Sequence, residues 1–124
     1  MSKISILIQL TNNKNIIKFV TNTFLTQAKS YEFTSIDNAQ LSPIAQELFY
    51  LPFVKTIYIS QNFIAIEKFP TDLTQIKWED VQNEVAETIE NYLSSGKPII
   101  IAPKENEKTS NKIPITIYAE STPN

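Results

Sequence analysis

A chain of 124 residues, 42% hydrophobic and 19% charged, has material for one domain with a packed core and for a tail beyond it. It holds no apolar run near the ~20 residues that cross a bilayer. Its net charge of −2 comes with 11 scattered lysines and no arginine, which argues against a nucleic-acid surface, where clustered Lys and Arg meet phosphates and bases.

Cysteine and histidine are absent, so thiolate nucleophiles, disulfides, cysteine-ligated clusters and nearly all zinc sites are excluded, along with the commonest general base. A single glycine, Gly96, excludes Walker loops and Rossmann fingerprints, which need several. The start of the chain has no small-residue cleavage site of a secretory signal, and the expected compartment is the cytosol.

In chain order, Ile4 to Leu10 alternates as a strand with Ile4, Ile6 and Ile8 on one face. Thr11 to Asn15 is a turn by composition, and Ile16 to Val20 returns as the second strand of a hairpin. Residues 21–31 read as a loop anchored by Phe24 and Leu25, followed by a short strand from Tyr31 to Ile36. Ser42 is an N-cap with Pro43 at the first helical position, where its missing N–H costs nothing. Ile44, Ala45, Leu48, Phe49 and Leu51 form the apolar stripe of that helix, and Pro52 ends it. The β-branched and aromatic runs Val54–Ile59 and Phe63–Lys68 flank Ser60-Gln61-Asn62, a hairpin in which Asn62 is expected to take φ > 0.

Phe69 to Asp72 reads as a loop, and a long helix starts near Trp78. Trp78, Val81, Val85, Ile89, Tyr92 and Leu93 make its apolar stripe, with Glu79 and Asp80 in the first turn and Gly96 as C′ residue. Ile99-Ile100-Ile101 after Pro98 is expected as a short buried strand. The fold class is α+β in the order β-β-β-α-β-β-α-β, a mainly antiparallel sheet of about four to six strands with two helices packed against it. Residues 1–101 form the domain and 102–112 a polar linker. Residues 113–124 repeat the start: Ile115-Thr116-Ile117 overlies Ile4-Ser5-Ile6 and Thr122-Pro123-Asn124 overlies Thr11-Asn12-Asn13 at one constant offset. They are expected to be the first strand of a second copy, cut from a longer protein, able to self-associate at a sheet edge through 113–119.

The order of these segments resembles the N-terminal domain of Nfu/NifU-type iron–sulfur cluster scaffold proteins. The family pattern T-P-N-P-x-x-x-K-F falls on Thr11 to Phe19, with Thr11, Asn13, Lys18 and Phe19 retained and both prolines lost. Ser42-Pro43-Ile44-Ala45, Leu48-Phe49, Leu51-Pro52-Phe53-Val54-Lys55, Phe63 to Lys68, Trp78 and Ser95-Gly96-Lys97-Pro98 continue the match over residues 4–101. The resemblance implies a non-catalytic interaction domain that serves a scaffold or carrier delivering clusters to apoproteins. It implies no cofactor in this chain, the iron–sulfur cluster belonging to a separate cysteine-containing domain. The partners it implies are iron–sulfur assembly factors or target apoproteins, with no nucleic acid and no membrane.

Thr11, Asn13, Lys18 and Phe53 are the candidate partner-binding residues, Phe53 as an exposed aromatic after Pro52. Turn chemistry is the competing account of Thr11 and Asn13, and Lys55 and Lys68 read as plain surface charges. A rival function is an interaction module with no role in cluster transfer, using Phe53 or the acidic helix face of Glu79, Asp80, Glu84, Glu87 and Glu90. A third reading, a carboxylate-dependent enzyme, requires an enclosed pocket that gathers several of Asp72, Glu67, Glu84 and Glu87.

Overall fold

A computed structural model describes residues 3–27 and 29–101. The elements are β1 (Ile6–Leu10), β2 (Ile16–Thr21), β3 (Ser30–Phe33), a 3-10 turn (Asp37–Ala39), α1 (Pro43–Phe49), β4 (Val54–Ser60), β5 (Phe63–Lys68), the single turn α2 (Thr71–Thr74) and α3 (Trp78–Ser94). The five strands form one sheet in the order β1-β2-β5-β4-β3, antiparallel throughout. This is the expected α+β architecture. The linker at 102–112 and the repeated strand at 113–124 lie outside the described residues.

Alternation decides what each strand buries. Ile17, Phe19 and Thr21 of β2, Ile64 and Ile66 of β5, and Ile57 and Ile59 of β4 point to one face and are buried, while their neighbours in sequence point away. On the buried face α1 packs against β4, and α3 against β1 and α1. Helix α1 contributes Ile44, Ala45 and Leu48, and α3 contributes Trp78, Val85, Ile89 and Tyr92. Each large side chain removed from water in this way stabilises the fold by roughly 1.5–3 kcal/mol.

The caps follow the sequence. The Ser42 hydroxyl accepts from the Ala45 N–H at 3.3 Å, with Pro43 at the first helical position. Gly96 takes φ +78° and its N–H bonds the Leu93 carbonyl, which ends α3.

Four local expectations are corrected. In the β4–β5 turn the positive φ belongs to Gln61 (53°) and not to Asn62. The loop at residues 25–26 explains the choice: the Leu25 and Thr26 N–H groups both bond the Gln61 carbonyl, and the Gln61 N–H bonds the Thr26 hydroxyl. Phe24 is exposed, leaving Leu25 as the anchor of that loop. The segment after Phe69 is not simply a loop, because Thr71–Thr74 closes one helical turn. Ile99-Ile100-Ile101 is not a strand. The Ile101 N–H bonds the Leu41 carbonyl in the loop before α1 in place of a strand partner, and Ile101 is 48% exposed.

Candidate functional site

The turn between β1 and β2 is built by its own side chains. The Thr11 hydroxyl lies 2.8 Å from the Asn13 carbonyl and 2.9 Å from that of Ile16, and it accepts from the Asn13 N–H. The Asn13 side-chain oxygen accepts from the Asn15 N–H at 2.9 Å, an Asx-turn. These bonds hold the Asn15 carbonyl where two distant groups reach it: the Lys68 N–H at 2.9 Å and the Trp78 indole N–H at 2.8 Å. One backbone carbonyl thereby ties the hairpin, the end of β5 and the start of α3 together.

Between this turn and the start of α3 lies a cleft of about 650 Å³. Leu10, Ile17 and Trp78 give it apolar walls, while Thr11 and Asn13 line its rim. Leu10 is 74% exposed, an apolar side chain left open beside the cleft. Charged groups also line it: Lys14, Lys68 and Lys77 against Glu79.

Lys68 is the unusual member of this set. It is 2% exposed, because it continues the inward parity of Ile64 and Ile66 along β5, and it is no plain surface charge. Its ammonium donates to the Thr71 hydroxyl at 2.9 Å and to the Phe69 carbonyl at 3.1 Å. Two of its three N–H donors therefore meet neutral oxygens. Among the described residues the one side-chain ion pair is Lys55–Glu67, at 3.8 Å, so no carboxylate neutralises Lys68 at contact. Burial pushes its pKa below the ordinary lysine value, Lys14 adds to that push, and Asp72 opposes it.

The four candidate residues do not form one site. Thr11 and Asn13 share the cleft rim, with their polar groups spent on the turn. Lys18 faces the opposite side of the sheet, its ammonium 4.4 Å from the centre of the Phe63 ring. Leu7, Val20 and Tyr58 share that outer face with it, because Leu7 pairs Val20, Val20 pairs Phe63, and Tyr58 pairs Ala65. Phe53 is not an exposed aromatic. It is 5% exposed and meets Trp78 edge-on at 5.8 Å, because the chain turns inward after Pro52 to start β4.

The residues that sequence reasoning missed are Lys68 and the indole N–H of Trp78. Strand parity carried a signal for the first; nothing local marked the second, whose acceptor lies 63 positions away. The carboxylates required by the enzyme reading do not converge. Glu67 is engaged by Thr56 at 3.0 Å and Lys55, Asp72 sits on α2, and Glu84 and Glu87 are exposed on α3. Among the described residues no group of three or more His, Cys, Asp or Glu is placed to hold a metal ion. Among them, too, no helix is long and apolar enough to cross a membrane.

Comparison with known proteins gives the fold and site a context. A family model described as "Scaffold protein Nfu/NifU N terminal" matches residues 6–96. The iron–sulfur cluster scaffold homolog NFU1, mitochondrial, of Homo sapiens is 26% identical over 92 residues, covering 74% of this chain and 35% of that protein. The protein of the same name from Drosophila willistoni is 30% identical over 102 residues, covering 82% of this chain and 34% of that one. The chain thus spans about a third of the length of these relatives. Among solved structures, the solution structure of a NifU-like protein from Saccharomyces cerevisiae superposes with a TM-score of 0.66 at 25% identity, covering 79% of this chain and 85% of that one. A crystal structure of a Staphylococcus aureus protein gives a TM-score of 0.56 at 25% identity, covering 71% and 99%.

Proposed function

The chain belongs to the Nfu/NifU N-terminal family of scaffold proteins, and from that premise we propose that it is a non-catalytic accessory domain supporting cluster delivery to apoproteins without ligating the cluster itself. The observation that carries this reading is the family match over residues 6–96 in a sequence with no cysteine. Cluster ligation in such scaffolds calls on thiolates, and this chain has none to offer. The cluster is assigned to a separate cysteine-containing domain. The partners are iron–sulfur assembly factors or target apoproteins, met in the cytosol.

In this proposal Thr11 and Asn13 act by shaping the cleft rim, and Lys18 acts from the outer sheet face. Phe53 contributes through Trp78, whose position it fixes. The test is affinity capture from the native host with the natural full-length protein, with and without residues 1–101, and identification of the captured proteins by mass spectrometry. Loss of iron–sulfur apoproteins or assembly factors on deletion supports the reading. An unchanged partner set with intact cluster transfer overturns it. A partner set lost on deletion that contains no iron–sulfur protein favours the rival, an interaction module outside cluster transfer.

A further inference from the structure

We propose that the cleft between the β1–β2 turn and the start of α3 is a recognition site for an acidic peptide segment, with a carboxylate seated on the Lys68 ammonium and an adjoining apolar side chain against Leu10 and Trp78. The chemistry of the cleft selects this occupant. Lys68 is a buried cation whose contacts among the described residues are a hydroxyl and a carbonyl, and neither neutralises it. Taking an ammonium out of water is costly unless an anion meets it. One N–H donor of Lys68 remains beyond the two bonds it makes to described residues, and the residue lines the cleft.

The surroundings carry the same sign. Lys14 and Lys77 add two positive charges at the cleft against one negative charge from Glu79, and Asp72 lines the neighbouring cleft beside Lys14. A free anion would need the charge alone. The exposed Leu10 and the apolar wall of Ile17 and Trp78 add a second requirement, met by a chain that alternates acidic and apolar side chains. The cleft volume of about 650 Å³ holds a few such side chains and not a folded surface. This inference rests on the partner-recognition reading for the claim that the acid belongs to a protein; the cationic cleft itself does not depend on cluster transfer.

The protein carries its own reporter, since Trp78 is the one tryptophan of the sequence and lines the cleft. The experiment titrates the full chain with an acetylated, amidated hexapeptide alternating leucine and glutamate, following tryptophan emission. The leucine–glutamine counterpart, succinate and inorganic phosphate are titrated in parallel. A saturable change is expected with the acidic peptide, weakening with added salt, and none with the glutamine peptide. Lys68→Met keeps the buried stem and removes the charge, and it should weaken binding by about tenfold or more. Lys14→Gln with Lys77→Gln, both exposed positions, should weaken it by roughly fivefold and serves should Lys68→Met not fold.

Absence of a saturable change, equal binding of the glutamine peptide, or undiminished binding by the folded Lys68→Met or by the double variant overturns the proposal. Succinate or phosphate binding as tightly as the peptide overturns the peptide and leaves a small-anion site. Acidic-peptide binding together with an unchanged partner set in the capture experiment would refute the accessory role while sparing the cleft.

Discussion

The Trp78→Phe substitution isolates what one indole N–H contributes. The Asn15 carbonyl keeps its Lys68 N–H after the change, so it is not orphaned, and the loss is one net hydrogen bond of about 1 kcal/mol. Replacing indole by phenyl removes roughly 40 Å³ from a buried position, and at about 24 cal/mol per Å³ of residual cavity this costs roughly 1 kcal/mol more. Trp78 meets Phe19 and Phe53 edge-on, each at 5.8 Å between ring centres. A smaller ring keeps part of both contacts, so their weakening adds about 0.5 kcal/mol. The expected destabilisation is therefore about 2–3 kcal/mol, or a fall in Tm of roughly 10–20 °C for a domain of this size. Urea and thermal unfolding followed by far-ultraviolet circular dichroism measure it, since the variant has no tryptophan to follow. A change under about 0.5 kcal/mol would refute the reasoning, because neither the bond to Asn15 nor the packing beside Phe53 could then be present as described.

Ser42→Ala removes the cap of α1 and leaves the Ala45 N–H without its partner, for an expected loss of about 1–2 kcal/mol in urea unfolding. Among the described residues the Gly96→Ala methyl meets no atom within 4 Å, so steric clash with them plays no part. The φ of +78° alone should cost about 1 kcal/mol, and a neutral result would show that the α3 terminus rearranges freely. Lys68→Met predicts a pH signature. The wild-type lysine has a lowered folded pKa, so between that value and the ordinary lysine range the unfolded chain holds more protons than the folded one. Wild-type stability should therefore rise relative to Lys68→Met as pH climbs through that window. Tyr92, whose pKa is raised by burial and then by Glu47, is common to both proteins and cancels in the comparison. Stability curves that run parallel through alkaline pH would show that Lys68 is not buried as a cation.

How much was legible depended on whether the deciding contact was local. The Ser42-Pro43 start of α1 and the Gly96 end of α3 were readable because each involves neighbours within a turn. The stripe from Trp78 to Leu93 was readable because its period repeats over four turns. The inward turn of Phe53 was not, since the position before β4 is settled by where Trp78 stands on another element. Gln61 took the positive φ in place of Asn62 for a similar reason, its carbonyl being drawn to the loop at residues 25–26. Ile99 to Ile101 has the composition of a strand, and only the fold shows that the Ile101 N–H goes to the Leu41 carbonyl, far back in the chain. For the cleft, Thr11 and Asn13 were marked by sequence. The burial of Lys68 was written in the alternation of Ile64 and Ile66, but charge alone had assigned it to the surface.

The shared carbonyl of Asn15 also bears on how this molecule breathes. Amides at strand ends ordinarily exchange with solvent by fraying, with little dependence on distant parts of the chain. The Lys68 amide ends β5, yet its acceptor is held by the same turn that receives the Trp78 indole. Opening at that strand end therefore disturbs the anchor of a helix beginning ten residues later, and loosening of the helix start returns the disturbance to the hairpin. Three segments that look separate along the chain should open as one unit, with matched protection of the Asn15 amide, the Lys68 amide and the Trp78 indole N–H.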